Sequence, residues 1–301
     1  MEHGFHSRSQ KRRKNCLGTV DQPGRGEPME SKIAGAVGLK YNPVAILLAD
    51  EKPDNALQFK KGKWGCVMFM FANAAKGKTA AFDAQTYGCW GGGVGLGFGN
   101  TYLRFPGGVE CFAHFLSSGN ARWERGREVA KSVGDAAGKA FMENFLEGEG
   151  YVKTPELVEQ WLGEIPMREI QAGYVLFKPL SEIDPQREKP ETVVFLADPD
   201  QLSALVILAN YGREGMENVT IPWAAGCQTI GILPYREAKS GKPRAVVGLT
   251  DISARKYVRG LLGSEYLSFG MPWEMFLEME GNVEGSFLER QPWRSLLASK
   301  P

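Results

Sequence analysis

The chain has 301 residues, of which 43% are hydrophobic and 24% charged, and its formal net charge is +1. This is the composition of an ordinary globular protein, and the near-neutral charge does not favour nucleic acid. No apolar run approaches the roughly 20 residues that cross a bilayer, so we expect no membrane segment. Five cysteines in a chain of this length favour free or metal-bound thiols in a reducing, cytoplasmic setting.

Residues 1–28 differ from the rest because they are polar, basic and rich in turn-forming residues. Six basic and three acidic side chains give this segment a charge of +3. No apolar segment follows Arg12 and Arg13, which argues against a twin-arginine export signal. We interpret the segment as a disordered extension, or as the result of a start assigned too early, with Met29 as the first residue. A nucleic-acid-binding arm is the alternative.

The first half of the remaining chain predicts two strands and one helix. An apolar run at 40–50 and a short one at 79–84 indicate strands. Between them, the small apolar residues of 66–75 predict a helix, with Cys66 near its N-terminus. Residues 86–100 contain seven glycines, which predicts an irregular segment held in place by other parts of the protein.

The second half alternates strands with helices. Thr154 and Asp198, each followed by proline, are predicted helix N-caps, and Asp251 or Ser253 is predicted to cap a third helix. The other predictions are helices at 120–146 and 271–282, a helix ending at Gly212, and strands at 172–180, 192–198 and 244–251.

Two segments share an order of residue types that indicates an internal duplication. Residues 64–83 and 223–251 both run Trp, Gly-Cys, an apolar stretch, a turn with Gly-Lys, a β-like run and Asp. The tripeptide Leu-Ala-Asp also occurs twice, at 48–50 and 196–198. We predict one globular domain, 29–301, of the α+β class, with two similar halves at about 29–150 and 165–301. The duplication would bring Cys66 and Cys227, one from each segment, towards a pseudo-twofold axis.

Cys66 and Cys227 each follow a glycine at a predicted helix start. Free N–H groups at such positions stabilise the thiolate, the form that binds metal. A lone cysteine there is more often a small buried residue, but the matched pair favours a role as ligands.

Cys89 opens the glycine-rich tract and is the most chemically suggestive position. Gly91, Gly92 and Gly93 would let the backbone approach a cofactor closely, so we predict that they contact it. The tract lacks the Gly-Lys-Ser/Thr end of a P-loop.

Cys111 and His114 stand three residues apart, so on a helix they would face the same way. Cys111 fits a metal ligand and a core position equally well. His114 is the only histidine beyond the first 28 residues, which argues against histidine-based zinc catalysis and a Ser-His-Asp triad.

Together the separated cysteines predict a [4Fe–4S] cluster bound by Cys66, Cys89, Cys111 and Cys227. Four ligands would indicate electron transfer or a structural role, whereas three would leave one iron open as a Lewis acid or for substrate. The expected partners are a small-molecule substrate or a redox protein. Two alternatives stay open: a metal-free module that holds an anion with the glycine tract and Arg104, and a thiol enzyme with Cys89 as nucleophile.

Several motifs resemble the domain-of-unknown-function family number 169 over about residues 40–293. The most specific are the Cys-x-Gly-Gly tract at 89–92 and Leu-Ser-Phe-Gly-Met-Pro at 267–272. Further matching stretches are NPVAILLADEKP, GVECFAHFLSSG, ADPDQLSALV, AAGCQTIGILP and GLTDISARKY. The resemblance implies no established activity. Its occurrence in archaea and anaerobic bacteria implies a setting in which an oxygen-sensitive cluster survives.

Overall fold

A computed structural model describes residues 29–299, and its centre is one mixed sheet of seven strands. The strands are β1 Val44–Ala49, β2 Ala80–Phe82, β3 Tyr174–Pro179, β4 Thr192–Ala197, β5 Val219–Thr220, β6 Ala245–Gly248 and β7 Leu267–Pro272. Their order across the sheet is β2-β3-β1-β4-β7-β6-β5. Neighbouring strands are antiparallel except β5 and β6, which are parallel.

Helices cover both faces of the sheet. They are α1 Lys32–Val37, α2 Val67–Ala75, α3 Trp90–Leu96, α4 Gly108–Leu116, α5 Glu124–Ala137, α6 Lys139–Glu147, α7 Pro155–Glu164, α8 Pro199–Tyr211, α9 Gly226–Ile230, α10 Ile232–Glu237, α11 Ile252–Leu262, α12 Trp273–Gly281 and α13 Gln291–Ala298. Alternate residues of β1 enter opposite cores: Val44 and Ile46 pack with α2 and α3, while Ala45 and Leu47 pack with α8 and α12. This arrangement confirms the α+β class.

Six of the seven strands have a matching order on the two sides of the boundary between β1 and β4, and β5 at the edge has no counterpart. β1 is followed across the sheet by β3 and β2, and β4 by β7 and β6. Both central strands have six residues and end one residue before the aspartate of a Leu-Ala-Asp tripeptide. A symmetrical strand order is compatible with duplication without establishing it, so the two similar halves stay a prediction.

The predicted helix starts were correct. Thr154 Oγ1 accepts a hydrogen bond from Leu157 N, and Asp198 forms a capping box with Gln201. Asp251, rather than Ser253, is the N-cap of α11. Cys66 is the N-cap of α2, and Cys227 is the second residue of α9.

Three predictions of elements were wrong or incomplete. The helix predicted over 120–146 is two helices, α5 and α6, because Gly138 between them has φ +87°. The strand β7 is absent from the predictions, because Pro272 at its end indicates the start of the helix that follows. The helix α13 is also absent from the predictions.

The glycine-rich tract is a helix, which contradicts the prediction of an irregular segment. α3 spans Trp90–Leu96, is capped by Cys89 at its start and ends at Gly97 with φ +94°. Tertiary packing outweighs the low helix propensity of glycine here. A Cβ at Gly95 would lie 2.7 Å from the carbonyl carbon of Cys227, and one at Gly92 would lie 2.6 Å from Cγ2 of Val67. Only glycine allows α3 to approach α9 and α2 this closely.

The predicted basic extension at 1–28 lies outside the described residues. Across residues 29–299 no helix is both long and apolar enough to span a membrane.

We expect Gly95→Ala to lower the free energy of unfolding by about 1–3 kcal/mol, because its methyl group would push α9 away from α3. Urea denaturation followed by circular dichroism measures the change. Gly260→Ala is the matched control: Gly260 lies inside α11, and no atom lies within 4 Å of the position that an added methyl group would take. That change should stabilise the protein by about 0.5–1 kcal/mol. Equal effects of the two substitutions would contradict the packing argument.

Candidate functional site

Three of the four predicted ligand cysteines come together at the starts of three helices. Cys66 caps α2, Cys89 caps α3, and Cys227 lies in the first turn of α9. The side chains of Cys66 and Cys227 each interact electrostatically with Cys89 and also with each other. We call these three residues the thiol cluster.

Backbone groups fix the positions of the sulfurs. Cys89 Sγ accepts a hydrogen bond from Gly92 N at 3.2 Å and another from the backbone N–H of Val67, which ties the start of α3 to the start of α2. Cys227 donates its S–H to the carbonyl oxygen of Gly91 at 3.1 Å. The first turn of α3 therefore contacts both neighbouring helices through the thiol cluster.

Burial keeps the thiols protonated. It raises the pKa of Cys66 to about 12, and a repulsive interaction with Cys89 adds to this rise. Burial likewise raises the pKa of Cys89, and that of Cys227 well above its usual range. Because the thiolate is the nucleophilic form, these surroundings do not activate a cysteine nucleophile.

Asp251 is an acidic neighbour of the thiol cluster. Its Oδ2 accepts a hydrogen bond from Gly226 N, and its Oδ1 accepts one from Ala254 N. Burial raises the pKa of Asp251, although both hydrogen bonds lower it. Its charge interacts with all three cysteines. The carboxyl group thus caps α11 and also faces the thiol cluster.

A second carboxyl group lies further out, in a chain of hydrogen bonds. Ser253 Oγ donates to Glu149 Oε1 at 2.9 Å, and the Ser253 and Tyr151 hydroxyls are 3.0 Å apart. Burial is the main reason why the pKa of Glu149 is raised, and repulsion from Asp251 adds to it. Such linked hydroxyl and carboxyl groups can bind a polar ligand or move a proton.

Aromatic rings lie at the surface around these groups. Trp64 is 51% exposed and its ring is 5.0 Å from that of Tyr257, which is 42% exposed. Tyr257 interacts electrostatically with Cys66, Glu149 and Cys89. On the other side, Trp223 is 41% exposed and packs against Tyr151 and Trp161. Large exposed aromatic side chains grouped in this way mark binding surfaces.

Cys111 is placed apart from the thiol cluster. It is fully buried in α4, and its charged neighbours are Arg125 and Glu110. His114, three residues later, stacks on Trp123 with ring centroids 4.7 Å apart. A ligand role for Cys111 stays a prediction, and its surroundings are those of a core residue.

Gly91, Gly92 and Gly93 lie in α3, beside the thiol cluster. Gly92 and Gly93 are buried, and a Cβ on Gly93 would meet the side chain of Thr101. Their contact with a cofactor stays a prediction, but the structure gives the two buried glycines a packing role. Arg104, the predicted anion partner, instead donates to the hydroxyl of Tyr87.

The described residues contain no compact set of metal ligands. In the part of the chain that the structure describes, no three His, Cys, Asp or Glu side chains are grouped so as to hold a metal ion. Ligands of one tetrahedral ion all lie about 2.0–2.3 Å from it and hence close to one another. The thiols of the thiol cluster are near enough to interact electrostatically but do not form such a compact set.

The sequence analysis did not identify Glu149, Tyr151 or Tyr257. It considered Ser253 only as a helix cap, and Trp64 and Trp223 only as the first residues of the two similar segments. Glu149 and Tyr151 lie between α6 and α7 in a segment with no recognisable motif. The one signal that could have found part of this group was the spacing of Ser253 and Tyr257, which places them on the same face of α11.

Comparison with protein-family models identifies the family described as DUF169, uncharacterised ArCR, over residues 32–282. Neither the curated proteins nor the solved structures include a match to this chain.

We expect iodoacetamide to alkylate Cys66 slowly in the folded, iron-free protein. A pKa of about 12 instead of 9.0 leaves on the order of a thousandfold less thiolate at pH 8. Mass spectrometry of the labelled peptide gives the rate, with the protein in denaturant as the control. The folded rate should keep rising above pH 9, and an inflection near pH 9 would contradict the shift.

The same shift affects stability at alkaline pH. Because the folded pKa of Cys66 exceeds the unfolded value, its contribution to the free energy of unfolding is intact below pH 9 and is lost as the pH rises from 9.0 towards about 12. Urea denaturation across this pH range measures the loss, with Cys66→Ala as the comparison. The variant should lose less stability than the wild type, and equal losses would contradict the assignment to Cys66.

Proposed function

The chain belongs to the DUF169 family, described as uncharacterised, and we propose that it is an iron–sulfur protein whose [4Fe–4S] cluster is bound by Cys66, Cys89 and Cys227. The observation that carries this proposal is the meeting of three thiols from separate segments of the chain, about 23 and 138 residues apart in sequence. Separate segments contribute to one site without any local Cys-x-x-Cys motif.

The electrostatics of the thiol cluster support a cationic cofactor. Three thiols and Asp251 share a buried region, and burial keeps the thiols neutral. Iron ions would replace the thiol protons and provide the positive charge that makes three thiolates stable together. The N–H groups of Gly92 and Val67, which already face Cys89 Sγ, would then stabilise the sulfur as an anion.

A cluster places a different demand on the spacing of its ligands from that of a single ion. In a [4Fe–4S] cluster each cysteine binds a different iron atom, so its ligands stand further apart than those of one ion. Cys227 would give up its hydrogen bond to Gly91 on binding.

Three cysteine ligands leave one iron without a thiolate. Such a cluster supplies a Lewis acid or an electron carrier. Asp251 interacts electrostatically with the three thiols, Glu149 interacts with Asp251, and the hydroxyls of Ser253 and Tyr151 continue from Glu149. These residues would orient a substrate and exchange protons with it, which favours an enzyme over a purely structural role.

The alternatives have less support. An anion held by the glycine tract would need open backbone, but Gly92, Gly93 and Gly95 are packed against other residues. A cysteine nucleophile would need a lowered pKa, whereas burial raises the pKa of Cys89.

Protein produced and purified without oxygen should show a broad absorption band near 400 nm and contain about four iron and four sulfide per chain. Replacing Cys66, Cys89 or Cys227 with alanine should remove most of the band and the iron, because each loss frees one corner of the cluster. Absorption spectra with iron and sulfide assays measure this.

Cys111→Ala is the matched control, since it removes a buried thiol from the same side of the sheet but outside the thiol cluster. It should keep the band and the iron. A colourless, folded wild-type protein after anaerobic reconstitution would refute the proposal. Loss of the band in Cys111→Ala alone, among the four variants, would refute the assignment of ligands.

A further inference from the structure

The carboxyl groups beside the thiol cluster form no ion pair. Neither Glu149 nor Asp251 is paired with a basic side chain in residues 29–299. Lys256 near Glu149 and Arg255 near Asp251 lower the pKa of these carboxyls less than burial raises it. Partly buried carboxylates without a paired counter-ion are costly, so a positively charged ligand would relieve this cost.

Aromatic side chains are connected to Glu149 through Ser253. Ser253, which donates to Glu149, and Tyr257 lie one helical turn apart on α11, so both project from the same face. The ring of Tyr257 packs against that of Trp64, and the ring of Tyr151 packs against that of Trp223. The rings of Trp64, Tyr257 and Trp223 remain substantially exposed, so a ligand can reach them.

Charge and ring chemistry together select the class of ligand. An anion would be repelled by Glu149, with which Lys256 forms no ion pair. No three His, Cys, Asp or Glu side chains of residues 29–299 are grouped so as to hold a metal ion. An organic ammonium ion gains from both features, because its charge pairs with a carboxylate and its alkyl groups contact the faces of aromatic rings. We propose that the surface formed by Trp64, Glu149, Tyr151, Trp223 and Tyr257 binds a small organic ammonium ion.

In this arrangement Glu149 provides the charge and the exposed rings provide the contact area. The hydroxyls of Ser253 and Tyr151 hold the carboxyl group in place. This inference goes beyond the iron–sulfur proposal and does not depend on it, because none of the five residues is a cysteine.

The test uses the full-length, iron-free protein and two probes of nearly equal shape. Choline carries a trimethylammonium group, and 3,3-dimethylbutan-1-ol replaces its nitrogen with carbon and is neutral. Isothermal titration calorimetry and tryptophan fluorescence measure binding of each. We expect choline to bind at least tenfold more tightly than the neutral alcohol and to change the fluorescence, because Trp64 and Trp223 lie in the site.

Variants connect the binding to the named residues. Glu149→Gln keeps an acceptor for Ser253 but removes the charge, and Trp223→Leu removes a ring; each should weaken choline binding at least tenfold. Glu284→Gln is the control, since it removes an exposed carboxylate near α12, on the other face of the sheet. Thermal unfolding verifies that all variants are folded.

Equal affinity for choline and the neutral alcohol would overturn the proposal. The same holds if Glu149→Gln, once shown to be folded, binds choline as the wild type does. If the protein shows a normal [4Fe–4S] spectrum but does not bind choline, only this inference is refuted. If it binds choline but takes up no iron, only the iron–sulfur proposal is refuted.

Discussion

The close approach of α3 and α9 is the constraint on which the candidate site depends. Gly95 lies against the backbone of Cys227, and Cys227 donates its thiol hydrogen to the carbonyl of Gly91. A side chain at Gly95 would separate the two helices and with them Cys89 from Cys227. The glycine-rich tract therefore serves the site by allowing helices to pack closely, and its flexibility is not needed.

The two carboxyl groups of the site oppose the stability of the folded protein. Burial raises the pKa of Asp251 and Glu149, so their ionised forms cost free energy at neutral pH. Asp251 offsets part of this cost because it also caps α11. Groups that oppose stability and meet at one surface are typical of functional sites, where a cofactor or ligand provides the compensating charge.

Local signals predicted much of the fold and part of the site. The Thr-Pro and Asp-Pro pairs at 154–155 and 198–199 fixed two helix starts, because capping acts within three residues. Cys66 and Cys227 were recognised as matched positions at helix starts. One error arose where contacts with distant residues determine the structure, since α3 forms despite its glycines. The other arose at Gly138, whose positive φ divides a helix although the apolar periodicity continues across it.

The sequence alone determined the α+β class, the positions of the cysteines and the caps, since these follow from short-range patterns of apolar and polar residues. Only the tertiary structure decided that Cys66, Cys89 and Cys227 meet while Cys111 stays in the core of α4. It also brought Glu149 to Ser253, residues 104 apart in the chain. Such pairings depend on how helices pack around the sheet, and no local pattern of residues encodes that packing.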